Sequence, residues 1–136
     1  LKIDKYKYIY NFKKSLYLFG IDKAKKAIVK EDKVIIVEGQ IDCITCNEYG
    51  INNVVALGGV SLSKYNFELL FRYTDKIVLL LDNDKAGDKA QNKLINRYSK
   101  IANIEIIKLP VGYKDIDEYL RKTEDISIFK QKERND

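Results

Sequence analysis

Val34-Ile35-Ile36-Val37-Glu38-Gly39-Gln40-Ile41-Asp42 and Ile77-Val78-Leu79-Leu80-Leu81-Asp82-Asn83-Asp84-Lys85-Ala86-Gly87 decide how this chain folds. Each is an unbroken apolar run that stops abruptly at acidic residues. A run with no polar alternation is the pattern of a strand covered on both faces of a parallel sheet. Carboxylates placed directly after such strands emerge at the sheet's C-terminal edge, where open α/β sheets bind ligands. Two neighbouring strands ending there bring Glu38, Asp82 and Asp84 into one crevice. Such a cluster repels itself unless a cation neutralises it, and hard oxygen donors on loops suit Mg²⁺ or Mn²⁺.

The segments on either side supply the alternation of helix and strand that a parallel sheet needs. Asp22 to Val29 reads as a short helix, with Asp22 as N-cap and Ala24, Ala27 and Ile28 on one face. The strand Lys33 to Val37 leads through Glu38-Gly39 into a helix that ends near Tyr49-Gly50, where Gly50 suits the C′ position. The strand Asn53 to Leu57 ends at Gly58-Gly59, a pair that points to a tight turn. A helix from Lys64 to Arg72 crosses to the strand Lys76 to Leu81. The longer helix after Asp84 carries Ala86, Ala90, Leu94 and Tyr98 at i, i+4 spacing. The strand Ile104 to Leu109 is closed by Pro110-Val111-Gly112, and Asp115-x-x-Glu118 is a capping arrangement for a helix from Ile116 to Lys122. No repeat or low-complexity segment interrupts this order. The expected fold is α/β: a roughly four-stranded, mostly parallel sheet with helices on both faces.

A chain of 136 residues with 46% hydrophobic content fits one compact domain with a real core. The formal net charge of +5 is a modest excess that favours a polyanionic partner without identifying one. No apolar run approaches the roughly 20 residues of a bilayer span, so a cytoplasmic protein with no membrane partner is expected. The sequence opens on Leu1 and contains no methionine, which leads us to expect a fragment of a longer protein. With two cysteines and no histidine, four soft ligands cannot be assembled, so no zinc is expected within this chain. Cys43 and Cys46 fall three apart on one helical face and read as small packing residues in a reducing compartment. Near the N-terminus, lysines are interleaved with Tyr6, Tyr8, Tyr10, Phe12, Tyr17 and Phe19, and the aromatics at 6, 8, 10 and 12 fall at alternate positions. That pattern describes a half-buried strand or arm as well as it describes a surface that stacks on bases.

Glu38-Gly39-x-x-Asp42 followed by Asp82-x-Asp84-x-Ala86-Gly87 resembles the Toprim domain shared by bacterial-type primases and topoisomerases. The surrounding sequence is most similar to the bacterial and phage primase branch. Asn11-Phe12-Lys13-Lys14 leading to Leu18-Phe19-Gly20-Ile21 resembles the primase segment just upstream of its Toprim core. Tyr49-Gly50-Ile51-Asn52, Ala56-Leu57-Gly58-Gly59, Leu69-Leu70-Phe71-Arg72 and Leu109-Pro110 with Asp115-Ile116-Asp117 also fall where that family has similar residues. The resemblance divides the chain into a basic and aromatic N-terminal extension over 1–32, a Toprim core over 33–122 and a charged C-terminal helix or tail over 123–136.

The resemblance implies the catalytic core of a DNA primase, making RNA primers from ribonucleoside triphosphates on a single-stranded DNA template by metal-dependent nucleotidyl transfer. It implies two Mg²⁺ or Mn²⁺ ions held by Glu38, Asp42, Asp82, Asp84, Asp115 and Asp117, with Glu38 as ligand or general base. Lys14 aligns with a basic residue that the family uses near its active site, whereas Leu16 departs from a second one. Lys14, Lys85 and Gly39 are the residues expected to face nucleotide or nucleic acid. A replicative helicase is the implied partner, through domains outside this sequence. The alternatives are a Toprim nuclease or topoisomerase that cleaves DNA with the same metal site, and a module that binds nucleic acid without catalysis.

Overall fold

The computed structural model describes residues 18–59 and 61–130, so the Lys14 expectation and the aromatic positions 6 to 12 lie outside the described residues. Helix α1, Ile21–Glu31, precedes strand β1, Val34–Val37, and helix α2, Gln40–Glu48. Strand β2, Val54–Ala56, helix α3, Lys64–Phe71, and strand β3, Lys76–Leu79, follow. Helix α4, Lys85–Tyr98, strand β4, Asn103–Ile106, helix α5, Ile116–Thr123, and a 3₁₀ turn, Ile126–Lys130, complete the order.

All four strands are parallel, in the order β2-β1-β3-β4. The apolar runs are explained by this arrangement, because β1 and β3 are the two inner strands and have helices on both sides. Alternate residues divide cleanly between the faces. Val34, Ile36, Ile77 and Leu79 pack with Ala24, Ile28, Phe67, Leu70, Leu94 and Tyr98 under α1, α3 and α4. Ile35, Val37, Val78 and Leu80 pack with Cys43, Cys46, Ile116, Tyr119 and Leu120 under α2 and α5. Both cysteines are free and buried, and burial pushes the Cys43 thiol up to about 11 and raises the Cys46 thiol further. They are packing residues.

Three local expectations need correction. Gly20, with φ of +85°, occupies the N-cap of α1, and Asp22 instead sits in its first turn, paired with Lys25 at 3.3 Å. In α4 the residue that packs at the helix start is Gly87, whereas Ala86 is exposed. The edge strand β4 begins at Asn103 and ends at Ile106, and its one-sided pairing leaves it partly exposed. Gly50, at φ +84°, does follow the C-cap Tyr49 of α2, and Gly58 and Gly59, at φ +67° and +84°, form the turn after β2.

Candidate metal centre

Parallel pairing aims every strand's C-terminal end at the same rim, and the loops after β1, β3 and β4 meet there. The amide of Leu80 donates to the Ile36 carbonyl at 2.9 Å, which keeps the chain in register with β1 one residue beyond the end of β3. Glu38 and Asp82 therefore leave the sheet side by side, and the Asp82 amide donates to Glu38 Oε1 at 3.0 Å. The third loop is tied in by Asn83. Its amide donates to the Lys114 carbonyl at 2.7 Å and its side-chain Nδ2 to the Tyr113 carbonyl at 3.3 Å. This clasp brings Asp115 up to Asp82.

Asp42, in the first turn of α2, completes the cluster. One carboxylate oxygen each from Asp42, Asp82 and Asp115 lie within 4.8 Å of one another. Asp42 is held from two sides, with Oδ2 accepting from the Gly39 amide and Oδ1 from the Asp117 amide, each at 3.1 Å. Asp115 has two duties, since its Oδ1 caps α5 by accepting from the Glu118 amide at 2.8 Å. The companion half of the expected capping box is shifted by one residue: Glu118 Oε1 accepts from Lys114 rather than from Asp115.

Burial and mutual repulsion dominate the electrostatics of the cluster. Burial, and then the negative charges of Glu38, Asp42, Asp115 and Asp84, push the Asp82 carboxyl up to about 7. Burial likewise pushes Asp42 up to about 6; Asp115 and Asp117 add repulsion, and the two amides it accepts from act in the opposite direction. Carboxylates raised by desolvation and mutual repulsion gain most from a bound cation. Hard oxygen donors from the first turn of α2, the loop after β3 and the N-cap of α5 are compatible with a divalent ion of the Mg²⁺ or Mn²⁺ kind.

The other expected site residues fall around this triad. Glu38 stands next to Asp82 through its hydrogen bond and is partly exposed. Asp84 is the N-cap of α4, with Oδ1 accepting from the Gly87 amide at 2.7 Å, and lies outside the close triad. Lys85 is exposed at the first position of α4, and Gly39 is the N-cap of α2. Asp117 is not in the close triad, and its carboxylate is engaged by two partners: Thr45 Oγ1 and Arg121 Nε both donate to its Oδ1 at 2.6 Å. Burial acts upward on the Asp117 carboxyl, but those two donors outweigh it and hold the group below the usual range.

Thr45 and Asn83 carry the geometry and have no signal of their own in the sequence. Thr45 is 1% exposed and lies one turn after Asp42, so only the i, i+3 spacing hints that it shares the carboxylate's face. Gly87 completes the floor of the site, because a Cβ built there falls 2.0 Å from the Asp82 carbonyl oxygen and 2.9 Å from Glu38 Oε1.

This architecture is matched by known proteins. The Toprim-like family model matches residues 35–120. A DNA primase of Clostridium acetobutylicum is 45% identical over 112 residues, an alignment that covers 82% of this chain and 18% of that protein. The crystal structure of the zinc-binding and RNA polymerase domains of the Aquifex aeolicus primase aligns at a TM-score of 0.74 with 37% identity, over 81% of this chain and 27% of that one. A DnaG primase catalytic domain bound to single-stranded DNA aligns at 0.68 with 30% identity, over 81% of this chain and 36% of that one. The chain belongs to the Toprim-like family, and within it to the Toprim domain of DnaG-type DNA primases. It spans 17 to 20% of the length of the curated primases it matches.

Proposed function

We propose that this chain forms the metal-binding part of a primase catalytic centre, one that joins ribonucleotides into RNA primers on single-stranded DNA. The observation that carries the reading is the convergence of Asp42, Asp82 and Asp115, with Glu38 beside them, at one rim of a primase-like sheet. The DnaG catalytic domain bound to single-stranded DNA supports the choice of template. Two divalent ions would supply activation of a 3′-hydroxyl and charge neutralisation on the leaving pyrophosphate.

The residues of the chain do the rest. Asp42, Asp82 and Asp115 present ligand oxygens. Glu38 fixes the Asp82 backbone through one oxygen and adds negative charge at the rim with the other, which favours a ligand role over that of a free general base. Asp84 holds the start of α4, and Asp117 holds Asp42 and α5 together. Lys85 and the upstream Lys14 counter phosphate charge.

The test is a chimera in which these residues replace their counterpart in the Clostridium acetobutylicum primase. Primer synthesis from ribonucleoside triphosphates, Mg²⁺ and single-stranded template is expected in the chimera and should fall more than about 100-fold on Asp82→Ala. A folded chimera without synthesis, or one indifferent to Asp82→Ala, would refute the reading.

A further inference from the structure

Helix α4 carries its basic residues in one regular row that starts at the acidic rim. In α5 each basic residue is matched at i, i+4, Arg121 with Asp117 and Lys122 with Glu118, whereas in α1 Lys25 pairs with Asp22 and Lys23, Lys26 and Lys30 take part in no ion pair among the described residues. In α4 the four basic residues Lys85, Lys89, Lys93 and Arg97 recur at every fourth position, all exposed. None of them takes part in an ion pair among the described residues. The one acidic residue within α4, Asp88, pairs instead with Lys108, at 3.6 Å. Like charges at i, i+4 repel by a few tenths of a kcal/mol per pair, so this row is mildly unfavourable until an anion lies along it.

The position of the row says what kind of anion. It begins next to Asp84 at the acidic rim and runs about 18 Å along the helix, with steps of about 6 Å. That step is of the order of the spacing between consecutive phosphates in an extended strand. Its distal half, Lys93 and Arg97, lines a cavity of about 230 Å³ that reaches Glu38 and is floored by Leu57, Leu62 and Leu94. Cations on one wall and apolar surface on the floor suit a strand that lays its backbone on the helix and a base or sugar in the cavity.

We propose that Lys85, Lys89, Lys93 and Arg97 form a track for the phosphate backbone of a single nucleic-acid strand that ends at the acidic rim. The direction of the strand rests on the metal-site reading above; the existence of the track does not.

The experiment measures binding of a fluorescein-labelled 12-mer of deoxythymidine to the 136-residue chain by anisotropy, from 50 to 200 mM salt, in EDTA. Without metal, a failure of the metal-site reading leaves the result untouched, and that reading is judged separately by Mn²⁺ calorimetry. Replacing Lys89, Lys93 and Arg97 by Gln should reduce the slope of log Kd against log salt by about 2, at about 0.7 per phosphate contact on a single strand. Over that salt range the wild type should then weaken about 15- to 20-fold more than the variant. A control removes the same charge elsewhere, by Lys23→Gln, Lys26→Gln and Lys30→Gln on α1, and should keep the wild-type slope. Equal slope changes in the two triple variants would reduce the effect to net charge and overturn the proposal. So would an unchanged slope in the α4 variant, or a loss confined to a fluorescent nucleoside triphosphate with strand binding intact.

Discussion

Replacing Gly87 by Ala should damage the metal site through a backbone collision, although by helix propensity alone the change is favourable. Ala is preferred to Gly by about 1 kcal/mol inside a helix, so an unobstructed Gly87→Ala variant would be stabilised. Here the new methyl falls 2.0 Å from the Asp82 carbonyl oxygen and 2.9 Å from Glu38 Oε1. The first contact is with backbone and cannot be relieved by a rotamer change, so the start of α4 or the Asp82 loop must open by more than about 1 Å. Overpacking of this size costs about 1–3 kcal/mol, or about 3–10 °C in Tm for a domain of this length. Displacement of Asp82 should also weaken Mn²⁺ binding by about 10- to 100-fold, as loss of a ligand's supporting contacts does. Differential scanning calorimetry and Mn²⁺ titration of the same samples check both effects. A raised Tm with unchanged Mn²⁺ affinity would refute the reasoning, because it would mean that α4 does not rest on the Asp82 backbone.

Three further outcomes follow from the same geometry. The metal-free protein should lose stability as pH rises from 5 to 8, because Asp82 and Asp42, with folded values of about 7 and 6 against an ordinary 3.8, favour folding only while protonated. Over the same range Mn²⁺ affinity should increase with proton release, so that melting in EDTA and in Mn²⁺ shows opposite pH trends; parallel trends would count against the shared cause. Asp115→Asn should leave the unfolding free energy within about 1 kcal/mol, since Asn still caps α5, yet weaken Mn²⁺ binding about tenfold or more; a variant with full Mn²⁺ affinity would make Asp115 a cap and nothing else. Thr45→Val removes the hydroxyl that holds Asp117 and should weaken Mn²⁺ binding about tenfold, with Thr45→Ser restoring it; equal affinities in all three proteins would remove Thr45 from the site.

The inner strands can be read from the sequence because burial on both faces erases polar alternation, as in Val34 to Val37 and Ile77 to Leu81. The edge strand is harder. Asn103 to Ile106 is partly exposed, so its pattern blurs and the expected range slides toward the apolar residues Ile107 to Leu109, which pack beyond the ladder. The alignment of Glu38 with Asp82 follows from strand adjacency and is legible. The approach of Asp115 to Asp82 is not, because it depends on Asn83 reaching residues 30 or so positions away through backbone carbonyls. Composition equally cannot separate Asp115 from Asp117: the two lie two residues apart at the start of α5, yet one joins the cluster while the other is held by Thr45 and Arg121. Of the expected α4 stripe, Ala90, Leu94 and Tyr98 pack on the core and Ala86 does not, since the helix starts at the Asp84 cap and Gly87 is the buried residue of its first turn.

The most direct measurement is a crystal structure of the chain grown with Mn²⁺, with data collected at the manganese absorption edge. The account predicts an anomalous peak about 2.0–2.3 Å from carboxylate oxygens of Asp82 and of Asp42 or Asp115, at the rim beside Glu38. A map with no peak there at millimolar Mn²⁺, or with its only peak at another carboxylate cluster, would contradict it.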